Sequence, residues 1–490
     1  MNSDKTSAEK SDNILNAKID RRRALSTAGK AAIGAVAVIV IGGVAYTVTG
    51  TPAAQTVTKT APAQTVTKTA QHTETVEKKP VAGTVHFVNN TFAGDLVESF
   101  IDNFHERNPH ITVDWTSLPG GTPIVEKLSA TFFASPEDLD VVLVNFGFIP
   151  AWADAGWISD IEDLPGVDKL KANMKQSFLD FYSYKGKLYG LPYFGAEFLY
   201  AINRDFFDRA GLTDPPTTFD EYVQQLNVFK DKGIVKRPAV HGLGAGLYGI
   251  VREWEEISIN MGGTGYTLFD PDTLEPNFLD KGDAGHRALQ FLVDLQQKHQ
   301  LLDPTSFEKN HGNIAKDAMA GLTPFAIRID PHKMINMNNP ALTDLAGNFE
   351  IFRCMDTGAT VLRAEPYALT KHAHDKKAEN LPNIQTFLKY IGGREVQRGY
   401  AMSKGLGFGY KDLSDDPGIK AAWNRWLDLE VYTDQAKDAV GMNRANPILN
   451  LPFFGEWNEL AVTHLQNAVL GNTDVASALD KIAADAAKLA

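Results

Sequence analysis

The sequence predicts an α/β protein folded as two lobes, and three observations carry that expectation. The segment from residue 84 opens as strand, helix and strand, the unit that builds a parallel sheet covered by helices. Asp140–Val144 (DVVLV) is a nearly continuous apolar run, the pattern of a strand buried on both faces. Residues 84–490, in a chain that is 43% hydrophobic and 10% aromatic, exceed what one core usually holds.

The chain begins with a basic segment, residues 1–30, in which Arg21, Arg22 and Arg23 are followed by Lys30. Ala31–Val48 carries no charge and has about the minimum length, ~17–20 residues, that crosses a bilayer. Basic residues on its N-terminal flank hold that end inside, so the bulk of the chain is expected on the extracellular face of the cell membrane. RRRAL before an apolar run also resembles a twin-arginine export leader. No clean small-x-small cleavage site follows, which favours an uncleaved transmembrane anchor. Residues 49–83 repeat QTVTKTA at Gln55–Ala61 and Gln64–Ala70, and this composition buries too little apolar surface to offset ordering entropy. A flexible stalk is expected there.

In the folded part, Thr84–Asn89 reads as a strand, Leu96–Arg107 as an amphipathic helix, and Ile111–Trp115 as a second strand. A helix at Ile124–Phe133 precedes the DVVLV strand. From Gly190 the pattern changes: GLPYFGAEFLYAINRDFF has strand character on both sides of Tyr193–Glu197, as in a chain crossing between lobes. Thr218 then caps a helix with Glu221 placed as its capping-box partner, and Phe219, Tyr222, Leu226 and Phe229 recur on one face. Further helices are legible at Ala284–His299, Ile384–Ile391, Ile419–Leu429 and Val475–Leu489.

The net charge is −12 with no basic stripe, which argues against nucleic acid as a partner. Cys354 is the only cysteine, so an intramolecular disulfide is excluded and the thiol is expected buried. HGLGAGLYG (His241–Gly249) lacks the strand-loop-helix context of a nucleotide loop. His372 and His374 have no evident third metal ligand, and Asp270 and Asp272 suit a turn. Asn89-Asn90-Thr91 is a glycosylation sequon.

Several stretches together resemble one family. Asp138–Leu164 (DLDVVLVNFGFIPAWADAGWISDIEDL) and Gly190–Tyr222 (GLPYFGAEFLYAINRDFFDRAGLTDPPTTFDEY) are similar to the family 1 extracellular solute-binding proteins of ABC importers, the group that includes maltose-binding proteins. Ile259–Asp270, Ala364–Tyr400 and Leu465–Ala486 agree in order, whereas Gly321-Leu322-Thr323-Pro324-Phe325 departs from the family's Gly-Lys-x-Ala-Met. The resemblance implies a two-lobed periplasmic-binding-protein-like fold of type II, with parallel-type sheets flanked by helices and a ligand cleft between lobes. Residues 84–192 with about 346–398 would form the first lobe, and 193–345 with about 399–490 the second. It further implies a monomer that binds a small solute, foremost a saccharide, delivers it to ABC permease subunits, and uses no cofactor or metal.

Such a cleft is lined by loops at the carboxyl ends of strands, where aromatic faces meet sugar rings and polar side chains meet hydroxyls. In the first lobe these are Asn90, Thr91, Phe92, Asn145 and Phe146, and at the crossing Tyr193 and Glu197. In the second lobe the resemblance adds Trp254, Arg328, Asp330 and Trp457. Trp254 and Trp457 read equally as core aromatics, Glu197 as a plain strand residue, and Trp157 as a core residue. An unpaired Arg328 would favour an anionic solute; paired with Asp330, it would suit a neutral oligosaccharide equally. Two rival readings remain at this point: a non-sugar solute such as a sugar acid, glycerol phosphate or polyamine, and an exported carbohydrate-acting enzyme with paired carboxylates. A chemoreceptor or adhesion role would use the same lobes.

Overall fold

The computed structural model describes residues 81–490, so the basic segment, Ala31–Val48 and almost all of the Thr-rich stretch lie outside the described residues. Among the described residues no helix is long and apolar enough to cross a membrane. The strands are β1 (Gly83–Asn90), β2 (Ile111–Leu118), β3 (Val141–Leu143), β4 (Ser183–Tyr184), β5 (Lys187–Leu188), β6 (Gly190–Glu197), β7 (Leu199–Asn203), β8 (Phe325–Ile329), β9 (Phe349–Phe352), β10 (Thr360–Leu369) and β11 (Ala439–Gly441). The first lobe is a six-stranded sheet in the order β11-β10-β3-β1-β2, with β6 on the other edge of β10. β1 pairs in parallel with β2 and β3, as the strand-helix-strand opening predicts, while β10 runs antiparallel to both β3 and β6. The second lobe holds the antiparallel sheet β8-β7-β9. The α/β two-lobed arrangement therefore stands with mixed and antiparallel sheets in place of parallel ones.

β10 is buried along its whole length because it sits centrally in the first sheet with helices on its faces. Phe87 of β1 meets Tyr367 of β10 and Phe387 of the helix Leu381–Ile391 edge-on at 5.3 and 5.1 Å, joining strand and helix layers. The helix Gly94–Arg107 adds Phe104 to the same cluster, 5.1 Å from Phe387. Trp157 lies flat on Phe132 at 5.2 Å, partly buried.

Strand β9 pairs with β7, so the chain is still in the second lobe at Phe352 and returns to the first only at β10, later than residue 346. The helix Arg394–Lys404 runs unbroken through residue 399, and its Tyr400 packs on Phe100 and on Tyr193, which β6 keeps in the first-lobe sheet up to Glu197, past the expected boundary at 192. An amphipathic face is buried as a unit, which moves the boundary expected at about 398 beyond 404. The helix expected at Ile419–Leu429 is two helices, Pro417–Trp423 and Leu429–Lys437. Asp428 starts the second by accepting hydrogen bonds from the Glu430 and Val431 amides. At Thr218 the cap forms as expected, accepting from the Glu221 amide at 3.1 Å, but the Glu221 carboxylate reaches back one residue further, to the Thr217 N–H at 2.7 Å.

Two crossings are joined at one point. The Phe198 N–H donates to Val361 O at 3.0 Å, and the Thr360 hydroxyl donates to Phe198 O at 2.9 Å. Glu256, on the helix Ile250–Gly262, has its carboxylate 2.8 Å from the same Thr360 hydroxyl and accepts from the Val361 N–H at 2.9 Å. Burial pushes its carboxyl up to about 7, against those bonds.

Both tryptophans proposed for the cleft are core residues. Trp254 is fully buried, meets Phe278 edge-on at 5.1 Å and donates its indole N–H to Gly285 O at 2.7 Å. Trp457 is equally buried against Phe269 and donates to Ile482 O. Their indoles join the helices of the second lobe, and an indole with a satisfied N–H suits such a core. Trp254→Ala is expected to lower the unfolding free energy by about 3–5 kcal/mol in urea titration. A loss below about 1 kcal/mol would mean that the side chain is not part of that core.

Candidate functional site

A chamber of about 150 Å³ lies where the two lobes meet. The first lobe contributes Asn90, Thr91 and Phe92 at and after the end of β1, and Gly120 and Gly121 after β2. The crossing strands supply Tyr193 and Phe194 from β6, and Arg363 and Glu365 from β10. The second lobe closes it with Tyr248, His311, Asp330, His332 and Lys333.

Its charged floor is one network. The Arg363 guanidinium donates twice to Asp330, at 3.1 and 3.0 Å, and once to Glu365 Oε1 at 2.9 Å. It lies over the Phe194 ring at 4.6 Å and the Tyr248 ring at 5.3 Å. Burial alone would raise Asp330, but Arg363 and His311 hold its carboxyl well below the usual range. For Glu365 burial prevails over Arg363 and the carboxyl is raised. The Tyr248 hydroxyl sits 2.8 Å from both Glu365 Oε1 and Asn145 Oδ1, tying the second lobe to the first. Tyr193 donates to Asn90 Oδ1 at 3.0 Å.

Two imidazoles complete the wall. His311 Nε2 is 3.1 Å from Asp330, and burial lowers its pKa to about 4 despite that carboxylate. His332, only 5% exposed, is held well below its ordinary value by burial and by Lys333. Both rings are therefore neutral at physiological pH. His311 Nδ1 and both nitrogens of His332 have no hydrogen-bond partner among the described residues. Phe92 packs on the His332 ring at 4.8 Å.

Of the residues expected at the cleft, Asn90, Thr91, Phe92, Tyr193 and Asp330 line the chamber. Asn145 and Phe146 stand directly behind Tyr248, Asn145 through the bond to its hydroxyl and Phe146 edge-on at 5.3 Å. Glu197 is elsewhere, accepting from the Tyr432 hydroxyl at 2.7 Å, and Trp254 and Trp457 are in the core. Arg328 is buried and paired, but with Glu253 at 2.5 Å and not with Asp330, and it also donates to Tyr248 O at 3.1 Å. The reason is local. β8 is bulged against β7 and Arg328 has φ 54°, which breaks the alternation that would set residues 328 and 330 on one face. Among the residues not anticipated are Arg363, Glu365, Tyr248, His311, His332 and Lys333. Arg363 and Glu365 did carry a signal, two opposite charges at i and i+2 in an otherwise apolar strand, which burial permits only with partners.

Arg363→Ala leaves Asp330 and Glu365 buried without a countercharge. It is expected to cost about 3–5 kcal/mol in urea unfolding, far more than the ~0–1 kcal/mol of an exposed pair such as Arg107–Glu395; equal losses at the two sites would contradict the network.

Known proteins share this architecture. The maltose-bound MalE3 of T. maritima superposes with a TM-score of 0.70 at 19% identity, covering 84% of this chain and 100% of that one. A solute-binding protein of Agrobacterium radiobacter K84 in complex with ribitol gives 0.69 at 18% identity, covering 84% and 100%. At these identities the likeness is one of fold. In sequence, the mannitol-binding protein of Pseudomonas aeruginosa is 26% identical over 128 residues, 25% of this chain and 29% of that relative, so the chain spans under a third of its length. The model of the family described as bacterial extracellular solute-binding protein matches residues 91–398. The chain belongs to the bacterial extracellular solute-binding protein family.

Proposed function

We propose that this protein is the extracellular receptor of an ABC importer, capturing a neutral polyhydroxylated solute, a sugar or a polyol, between its lobes and presenting the closed form to a permease. The observation that carries the reading is the pair of buried, neutral imidazoles, His311 and His332, with unpartnered nitrogens in a chamber whose charges balance: Arg363 and Lys333 against Asp330 and Glu365. Buried polar groups without partners are costly, and solute hydroxyls, each both donor and acceptor, would satisfy them. An anionic solute would meet two carboxylates and a guanidinium already paired with both, so that of the chamber's charges only the Lys333 ammonium would attract it. Maltose, ribitol and mannitol in the names of similar proteins belong to the same chemical class.

Binding rather than catalysis is the role that fits the family, and the solute drives closure by its greater affinity for the closed state. The protein acts as a monomer, held at the outer face of the membrane by Ala31–Val48 through the Thr-rich segment.

Thermal unfolding of residues 83–490 against neutral sugars, polyols, sugar acids, glycerol phosphates and polyamines tests the reading. A bound solute at one hundred times its dissociation constant adds about 2.7 kcal/mol. One neutral class should raise Tm without being consumed; a shift only with anions, or turnover, would overturn the proposal. Affinity should stay level through pH 6.5, where a free imidazole titrates, and fall as pH approaches 4, where His311 takes a proton. His332→Phe, which keeps a buried ring against Phe92 but removes both ring nitrogens, should weaken binding about tenfold or more through its lost hydrogen bonds, with little change in Tm, since those nitrogens have no partner to lose among the described residues.

A further inference from the structure

The lobes line a second, open space beside the chamber, and neighbouring residues of the same two loops face the two spaces. The second space is about 500 Å³, lined from the first lobe by Thr122 and Phe148 and from the second by Gly246, Leu247 and Asn458. Thr122 follows Gly121, and Gly246 lies two residues before Tyr248, so the loops that wall the chamber also wall the larger space.

Tyr248 lines the chamber, and Ala245, Gly246 and Leu247 just before it line the second space. Gly121 has φ 78°, and a Cβ built on it would come 3.0 Å from Tyr248 Cε2, so the ring lies directly on the first-lobe backbone. Behind the ring stands Phe146, with the Arg252 guanidinium 5.8 Å over it and 5.5 Å over Phe454. Phe454 in turn meets Phe148 at 5.7 Å. Nothing in this stack is small enough to yield to a second sugar ring while Tyr248 holds its bonds to Asn145 and Glu365.

A cavity of about 150 Å³ is the size that holds one benzene ring. We propose that Tyr248 sets the length of the solute: the chamber accepts a single sugar ring or a short linear polyol, and the Tyr248 ring bars the second unit of an oligosaccharide from the adjoining compartment. This rests on the reading of the chamber as a solute site. It also narrows that reading, because the charges and imidazoles alone would serve one ring or several.

Calorimetric titration of wild type, Tyr248→Ala and Tyr248→Phe with mannitol, ribitol, glucose, maltose and maltotriose tests it. Wild type should bind at least one single-unit probe about tenfold or more tighter than maltose. Tyr248→Ala, joining the compartments, should close that gap to about threefold or less, weakening the single-unit probe and admitting maltose. Tyr248→Phe keeps the ring and should keep the gap while losing affinity. Tighter binding of maltose or maltotriose by wild type overturns the inference and leaves the solute-receptor reading intact, as does an unchanged gap in Tyr248→Ala. If the alanine variant does not fold, Tyr248→Leu, which lacks the outer half of the ring, is read by the same criteria. Binding of none of the probes by wild type overturns the receptor reading and this inference with it.

Discussion

The cost of burying charge organises this molecule. Asp330, Arg363 and Glu365 are almost fully removed from water, and each would be prohibitive alone. Together they offset that cost only if a crossing strand, the second-lobe segment after β8 and the Tyr248 loop are held in register around one guanidinium. The two-donor contact to Asp330 fixes the plane of the Arg363 head, the third donor takes Glu365, and the Tyr248 hydroxyl shares that carboxylate with Asn145. A lobe-to-lobe contact is thereby built on the same groups that present the polar floor of the chamber.

The helix Ile250–Gly262 supplies a second layer of the same logic. Arg252, Glu253, Glu255 and Glu256 are all buried on it, and each has an assigned partner. Glu253 holds Arg328 and His241; burial would raise its carboxyl, but these neighbours keep it well below the usual range. Arg252 pairs with Glu255, which also accepts from Asn446. Such ion pairs add little net stability compared with apolar packing. Their effect is positional: Arg328 clasped by Glu253 bonds Tyr248 O, and this fixes the loop that carries Tyr248.

Much of the fold was legible because local patterns and tertiary burial agree. The β1-helix-β2 opening, the DVVLV strand, the Thr218 cap and the C-terminal helix rest on periodicity and capping, which the surroundings do not override. Asn90–Phe92 were legible from their place at the carboxyl end of a strand, whereas Asp330 came only from the family resemblance; both line the chamber. Tyr248 was not, since a glycine-rich loop without a nucleotide context carries no other chemical signature. The tryptophans misled because an aromatic on a helix face looks the same whether the face meets solute or another helix. Arg328, left open between unpaired and paired with Asp330, took neither course, because a bulge and one backbone angle that spacing does not reveal turn it to Glu253.

The shared anchoring of the two crossings at Thr360 and Val361 has a kinematic consequence. Arg363 and Glu365 follow Thr360 by only three and five residues and so would sit on a short lever arm if the lobes parted there, whereas His311, His332 and Tyr248 belong to the second lobe and would move with it. Groups near an axle barely travel. On the proposed reading, a solute arriving at parted lobes would meet the strand-borne charges and Asn90 already in place, and the imidazoles and the tyrosine would reach it last, in one stroke.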